Sequence, residues 1–130
     1  MRIEKVAFPD DAYSKAVFLF YLMTERDGFI VALKGGSVVG YVIATNHGGQ
    51  GLIQSIAVSP EFRRRGIGAK LMQAAIARLA VKFDRVFLQV DAKQESTIRF
   101  YRALSFRETG KVLKRYYRNG DDGIEMVREI

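Results

Sequence analysis

The fold of this chain is organised around residues 51–70, Gly-Leu-Ile-Gln-Ser-Ile-Ala-Val-Ser-Pro-Glu-Phe-Arg-Arg-Arg-Gly-Ile-Gly-Ala-Lys. Its first part, Leu52 to Val58, is an apolar run rich in β-branched residues, which predicts a buried strand. Pro60 cannot continue a strand ladder, so the strand should end just before it. A basic turn with two glycines follows, and apolar residues then recur every three or four positions up to Phe83. That rhythm predicts a helix whose first turn begins at the glycines.

A basic glycine turn between a strand and a helix favours an anion site. The first amides of a helix have no partner within it, and the helix dipole favours negative charge there. Gly66 and Gly68 let a phosphate approach the backbone, and the arginines supply charge and donors. Two familiar phosphate loops do not fit: the triphosphate loop requires Gly-Lys-Ser/Thr, and the dinucleotide loop requires glycine where Leu71 stands. An ordinary basic turn before a helix stays open as the alternative.

The motif Arg-x-x-Gly-x-Gly, followed by Ala69, resembles the acyl-CoA pyrophosphate loop of the GNAT N-acetyltransferases. Residues 98–106, which include Phe100, Tyr101 and Phe106, are similar to the helix and strand that follow the coenzyme site in that family. The tail from Tyr116 to Met126 and the turn Phe8-Pro9-Asp10-Asp11-Ala12-Tyr13 resemble the branch that acetylates protein N-termini. That branch includes the bacterial ribosomal-protein enzymes and the catalytic subunits of the Nat complexes.

The resemblance implies one α/β domain over residues 1–130 with the GNAT fold. A mixed central sheet should contain a parallel strand pair that splays apart, with helices on its flanks. The chain departs from the family in that a first strand is expected to be missing, or the start to be late. Three side chains also depart: Gln89 stands where the bacterial branch has a catalytic Glu, Gln94 where an Asn often contacts the coenzyme, and Ser105 where Gly is usual.

Local patterns predict the remaining elements. Ala12–Met23 is predicted to be a helix rich in aromatic residues, and a hairpin of strands Phe29–Leu33 and Ser37–Thr45 is predicted to follow it. Residues 46–50 are predicted to form a loop, in which His47 is interpreted as an exposed residue. After the central helix come a strand over Val86–Val90 and a short helix over Ser96–Leu104 with Ser96 as its cap. Two more strands are expected, within 106–117 and over Ile124–Val127.

The family resemblance assigns roles to particular residues. Tyr101 matches the general acid, although a core aromatic is the alternative. Asp10 is the candidate base, with Asp11 second and helix capping as the other role for either, since Gln89 cannot ionise. The acetyl-CoA site is expected to comprise Ile56, Ala57, Val58, Arg63, Arg64, Arg65, Gly66, Ile67, Gly68, Ala69 and Gln94. The acceptor site is expected to comprise Gln89, Tyr13, Tyr116 and Tyr117.

Composition limits the functional classes. The chain has 130 residues, no cysteine and one histidine. The absence of cysteine excludes disulfides and thiolate metal sites, and with one histidine no metal site is expected. Residues 1–62 contain 5 Lys/Arg and 6 Asp/Glu, whereas residues 63–130 contain 16 and 8. The basic second half should attract anions such as coenzyme phosphates or the RNA-rich ribosome, although much of it can be a solvated face. No apolar stretch is long enough for a membrane span, so a cytoplasmic protein is expected.

The leading functional hypothesis is direct transfer of acetyl from acetyl-CoA to the α-amine of protein N-termini. An α-amine has a pKa near 8, against about 10.4 for lysine, so the missing Glu at position 89 is easier to tolerate with an N-terminal acceptor. Two alternatives stay open at this point. One is an acetyltransferase for a small amine or free amino acid, and the other is a non-catalytic acetyl-CoA-binding or ribosome-docking module.

Overall fold

The computed structural model describes residues 3–9 and 19–25 by their backbone, and residues 29–64 and 66–130 in full. Eight strands and two α-helices lie in these ranges, with a short 3-10 helix at Pro60–Phe62. The helices are α1 (Ile67–Leu79) and α2 (Glu95–Ala103). The strands are β1 (Ile3–Pro9), β2 (Leu19–Glu25), β3 (Phe29–Lys34), β4 (Ser37–His47), β5 (Gln50–Val58), β6 (Arg85–Asp91), β7 (Arg107–Leu113) and β8 (Gly123–Glu129). Neither described helix is long and apolar enough to cross a membrane.

All eight strands form one mixed sheet in the order β1-β2-β3-β4-β5-β6-β8-β7. Every neighbouring pair is antiparallel except β5 and β6, which are parallel. The connection between those two strands is α1, as expected because a parallel pair needs a long crossover. The predicted mixed α/β sheet with one parallel pair is therefore confirmed.

The parallel pair separates after three residues. β5 is in register with β6 only at Gly51–Val86, Leu52–Phe87 and Ile53–Leu88, although both strands continue further. On its other side, β5 stays paired with β4 as far as Val58, but the register shifts so that Gln54 has no opposite residue. Such a bulge bends the strand that carries it. The predicted splay is confirmed, and it begins at the bulge.

The core lies between α1 and the middle of the sheet. The apolar face of α1 is buried through Leu71, Met72 and Ala75, and it packs on inward-facing residues such as Val42 and Ile53. Glycine at position 40 permits this close approach. A Cβ there would lie 3.0 Å from the carbonyl oxygen of Ala57 and 3.1 Å from a methyl of Leu71. The end of β5 and the start of α1 are thus held tightly together.

Two predictions at the beginning of the chain are corrected. Residues 19–23, predicted as the end of a helix, belong to β2, while residues 12–18 lie outside the described residues. Their apolar run fits either period, and pairing with β1 and β3 decides for a strand. The expected gap at the first strand is also corrected, because Ile3–Pro9 forms β1 at the edge of the sheet.

The segment predicted as a loop at 46–50 is a tight hairpin turn. β4 continues to His47, which is in register with Gln50 at the start of β5. Gly48 and Gly49 between them have φ values of 60° and 82°. Two successive positive φ angles are what the two-residue turn that matches strand twist requires, and glycine adopts them without a steric penalty.

Helix α2 ends in a Schellman motif with serine at the left-handed position. Ser105 has φ 70°, and its N–H donates to the Arg102 carbonyl at 2.9 Å. The N–H of Phe106 donates to the Tyr101 carbonyl at 3.1 Å, and the rings of Tyr101 and Phe106 meet edge to face at 5.9 Å. Both hydrogen bonds and the apolar contact belong to this motif. At the other end, Gln94 holds the cap position without a side-chain bond, so the prediction of Ser96 as cap is wrong.

Candidate active site

A cleft of about 920 Å³ opens where β5 leaves β6; we call it the turn cleft. It lies between the end of β5, the turn before α1 and the first turns of α2. Its lining residues are Ile56, Ala57, Val58, Phe62, Arg63, Arg64, Gly66, Gly68, Ala69, Gln94, Ser96, Thr97, Phe100 and Tyr101. Most residues predicted for the acetyl-CoA site are therefore brought together. The side chain of Ile67 is buried in the core, so only its backbone amide could take part in the site, and Arg65 lies outside the described residues.

The backbone of the turn is shaped as an anion site. Arg64 and Gly66 have φ values of 63° and 78°, so two residues in left-handed conformation precede the helix. The first helical bond runs from the Lys70 N–H to the Gly66 carbonyl at 3.0 Å, and no side chain caps α1. The amides of the residues from Gly66 to Ala69 therefore have no acceptor within the helix. Together with the helix dipole they offer donors to a phosphate.

The two glycines of the motif are required for different structural reasons. Gly66 needs its left-handed backbone, and a Cβ there would meet nothing within 4 Å. Gly68 has an ordinary helical backbone, but a Cβ would lie 3.3 Å from Cζ of Phe100 on α2. Gly68 therefore permits close packing between α1 and α2. That packing sets the width of the turn cleft.

Arg63 also has a structural role that the sequence did not indicate. Its Nε donates to the carbonyl oxygen of Val58 at 3.1 Å, which ties the turn to the last residue of β5. Among the described residues, nothing on β6 is in register with β5 beyond Ile53, so the edge of β5 at Ile56 and Ala57 faces the cleft. An extended amide-bearing chain can add to such an edge as a strand would.

Tyr101 lies at the inner end of the turn cleft with a side chain that is 7% exposed. Burial, with a smaller contribution from the nearby Tyr117, raises the pKa of Tyr101 to about 12. Its ring packs against Phe100 at 5.4 Å, and its carbonyl is fixed by the Schellman motif described above. The phenol is therefore neutral at physiological pH and positioned as a hydrogen-bond donor.

A second cleft of about 550 Å³ lies along β5, β6 and β8; we call it the sheet cleft. Its lining residues are His47, Gln50, Leu52, Ile53, Gln54, Phe87, Leu88, Gln89, Lys111, Tyr116, Tyr117 and Glu125. The predicted acceptor residues Gln89, Tyr116 and Tyr117 are thus brought together. His47, interpreted from the sequence as an exposed loop residue, is exposed and also lines this cleft.

The tyrosine pair closes one side of the sheet cleft. The hydroxyl of Tyr116 donates to Oε1 of Gln89 at 2.6 Å, and the rings of Tyr116 and Tyr117 meet edge to face at 5.0 Å. Burial raises the pKa of Tyr117, with smaller contributions from Tyr116 and Asp91. A Cβ at Gly123 would lie 3.3 Å from the Tyr116 ring, so glycine there makes room for the pair.

The two clefts adjoin. Gln54 lines the sheet cleft and Ile56, two residues along the same strand, lines the turn cleft. Tyr117 in the sheet cleft is close enough to Tyr101 in the turn cleft to raise the pKa of Tyr101. A donor in the turn cleft and an acceptor in the sheet cleft would therefore meet near the two tyrosines. Asp10, Asp11 and Tyr13, the remaining predicted residues, lie outside the described residues.

The sequence missed two charged residues of the sheet cleft. Glu125 and Lys111 come from β8 and β7, which are distant along the chain from the glycine motif. Glu125 occupies a strand position where a polar residue ordinarily signals solvent exposure, so no local pattern could reveal it. Its placement opposite Gln89 in the β6–β8 register is the only signal, and that register requires the tertiary structure.

The chemistry of the turn cleft fits coenzyme A. The amides at the start of α1 and Arg64 suit its phosphates, the open edge of β5 suits the amide groups of its pantetheine arm, and Tyr101 lines the same cleft. The fold and the two clefts together define a coenzyme-A-dependent acyltransferase that brings an acyl donor and a second substrate to one point.

Comparison with known proteins identifies the family. The Acetyltransferase (GNAT) family profile matches residues 1–106. The chain belongs to this family, and it is an acetyltransferase that uses acetyl-CoA as acyl donor.

Individual relatives agree with this assignment. An N-alpha-acetyltransferase of Sulfurisphaera tokodaii is 31% identical over 100% of the chain and 85% of its own length. The N-alpha-acetyltransferase RimI of Mycobacterium tuberculosis is 30% identical over 92% of the chain and 77% of its own length. Among solved structures, Ard1 from Thermoplasma volcanium has a TM-score of 0.75 at 30% identity, covering 80% of the chain and 71% of Ard1.

Proposed function

We propose that this chain transfers the acetyl group of acetyl-CoA directly to the α-amine of protein N-termini. The observation that carries the proposal is the pair of adjoining clefts, one built for a phosphate-bearing donor and the other closed by Tyr116 and Tyr117. Relatives named N-alpha-acetyltransferase support the choice of acceptor.

On the donor side, residues of the turn cleft would hold the coenzyme and orient its thioester. The amides at the start of α1 and Arg64 would receive the phosphates, and the edge of β5 at Ile56 and Ala57 would receive the pantetheine amides. An N–H near the bulge of β5 can also polarise the thioester carbonyl, which is the role of an oxyanion hole. These groups are fixed before the reaction and therefore need little reorganisation.

Tyr101 would act on the leaving sulfur. A thiol has a reference pKa near 8.5, well below the value of about 12 for this phenol. A neutral tyrosine of such high pKa donates a hydrogen bond to a developing thiolate and gives up its proton only when the thiolate is itself made more basic by burial. Tyr101 is thus suited to stabilise the sulfur as the C–S bond breaks.

On the acceptor side, the sheet cleft offers polar groups to the first residues of a peptide. Tyr116 fixes the amide of Gln89 through its 2.6 Å hydrogen bond, and Tyr117 lines the same cleft. Asp10 as general base remains a prediction from the sequence, as do association with the ribosome and a cytoplasmic location.

Thiol release from acetyl-CoA with matched peptide pools tests the proposal. One pool carries free N-termini, and the other is N-blocked but contains lysine. We expect turnover with the first pool and none with the second, and mass spectrometry should place the added acetyl on the first residue. The Tyr101→Phe protein serves as the control, because any thiol that it still releases does not depend on the active site. Turnover with the blocked pool, or only with small amines, would refute the N-terminal acceptor.

A further inference from the structure

Among the described residues, the sheet cleft contains a single carboxylate, Glu125. Glu125 on β8 is in register with Gln89 on β6, and residues directly opposite in an antiparallel pair have Cβ atoms about 5 Å apart on one face of the sheet. The family position of the catalytic Glu, position 89, is thus occupied by an amide whose nearest cross-strand neighbour is a carboxylate. His47 on β4, Lys111 on β7 and the two tyrosines are the other titratable groups that line the cleft.

Glu125 is half-buried and held from one side. The hydroxyl of Thr109 on β7 lies 3.0 Å from its Oε1 and 3.4 Å from its backbone carbonyl oxygen. Within the described part of the chain no hydrogen bond or ion pair engages the other carboxylate oxygen, Oε2. One oxygen is therefore fixed by the protein, and the second remains available to a substrate.

Gln89 cannot perform the same task in this arrangement. Its Oε1 accepts the hydrogen bond from Tyr116, which leaves one lone pair on that oxygen and two N–H donors, and an amide oxygen is too weak a base to take a proton from an ammonium group. Donors can hold a peptide carbonyl, but they cannot accept a proton from an ammonium group. The carboxylate of Glu125, one strand further across the sheet, is the group in the cleft that has both the charge and a lone pair to do so.

We propose that Glu125, and not the sequence candidate Asp10, binds the acceptor's α-ammonium group and takes its proton, in place of a carboxylate at position 89. The inference rests on the proposed function for the identity of the acceptor. As the amine nitrogen bonds to the thioester carbon, one N–H proton passes to Glu125. The C–S bond breaks with its electron pair on sulfur, which takes one proton by way of Tyr101. An amine bound as ammonium first gives one proton to Glu125, which passes it to water, and this frees the nitrogen lone pair for the attack. The second N–H proton, taken by Glu125 during the attack, then balances the proton that sulfur receives through Tyr101.

The test compares Glu125→Gln with Glu129→Gln, a matched control on the same strand whose exposed carboxylate pairs with Arg107. At pH 7 we expect Glu125→Gln to lower kcat/KM for a free-N-terminal peptide about 100-fold. The loss should shrink towards pH 9, since an α-amine with a pKa near 8 is then mostly uncharged without help. The Kd for acetyl-CoA and the melting temperature should stay unchanged, and Glu129→Gln should behave as wild type.

Activity of Glu125→Gln within threefold of wild type at pH 7 would overturn the inference. So would a loss that is independent of pH and accompanied by weaker acetyl-CoA binding or a lower melting temperature, since that is the signature of a structural role. If wild type acetylates lysine or a small amine instead of N-termini, the proposed function is wrong. The same two variants, assayed with that amine, still decide the role of Glu125.

Discussion

Tyr101→Phe removes the hydroxyl at the inner end of the turn cleft and leaves the ring packing with Phe100 and Phe106 in place. No described residue hydrogen-bonds to that hydroxyl, so its removal should cost little stability at neutral pH. We expect kcat to fall at least about 100-fold, which is the usual contribution of a positioned proton donor. The Kd for acetyl-CoA should change less than twofold, measured by calorimetry, because the phosphate and pantetheine contacts remain.

The raised pKa gives the same variant a second signature. A group whose folded pKa exceeds its unfolded value contributes stability that is complete below the unfolded pKa and lost as pH rises through the folded one. For Tyr101 that window runs from the ordinary tyrosine pKa of 10.0 to about 12. At pH 11 the unfolded phenol is mostly ionised and the folded one is not, which lowers the stability of wild type by about 1.4 kcal/mol relative to pH 8. The Phe variant lacks this loss.

Urea unfolding of both proteins at pH 8 and pH 11 measures the difference directly, since the other tyrosines and lysines titrate in both. Wild type should lose about 1.4 kcal/mol more than Tyr101→Phe over this interval. Equal losses would show that Tyr101 is not desolvated as described. Unchanged kcat in the Phe variant would refute its role at the sulfur, whatever the unfolding data show.

Substitutions at three further positions test the surroundings of the clefts. Ser105→Gly should raise the free energy of unfolding by about 1 kcal/mol and the melting temperature by about 4 °C, because φ 70° costs serine more than glycine; an unchanged or lower value would contradict the strain. Arg64→Ala and Arg64→Gly should both weaken the binding of acetyl-CoA more than the binding of its dephosphorylated analogue, and equal weakening for both ligands would argue against a phosphate contact. The Ala variant should be less stable than the Gly variant, because position 64 has a left-handed φ of 63°. Gly68→Ala should cost about 1–3 kcal/mol by pushing α1 away from Phe100, and a wild-type melting temperature would show that the helices yield without cost.

Local patterns predicted the centre of the fold well. The apolar run of β5, the proline that ends it, the basic turn and the 3.6-residue rhythm of α1 are each set by neighbours within a few residues. The parallel crossover follows from the order strand, helix, strand. At Gly48 and Gly49 the sequence predicts only a loop, because glycines permit a two-residue turn without requiring one.

The beginning of the chain was predicted less well for a different reason. The apolar run at 19–23 fits a helix or a strand, and only its pairing with β1 and β3 decides between them. The same limit applies to Ser105. The sequence shows a serine where glycine is usual, but the left-handed φ and its two hydrogen bonds appear only in the folded helix end.

The sequence by itself determined the donor half of this protein, because a phosphate site built from one turn and one helix start is contiguous in the chain. In the acceptor half, the family resemblance pointed to Gln89, Tyr116 and Tyr117, but only the tertiary structure showed that they line one cleft together with Glu125. The sheet cleft collects His47, Gln89, Lys111, Tyr116 and Glu125 from separate strands and the β7–β8 turn, and the bulge at Gln54 sets where β5 departs from β6. Strand register brings Glu125 opposite Gln89, and register is fixed by the burial of one sheet face over the whole strand, a property that no short motif encodes.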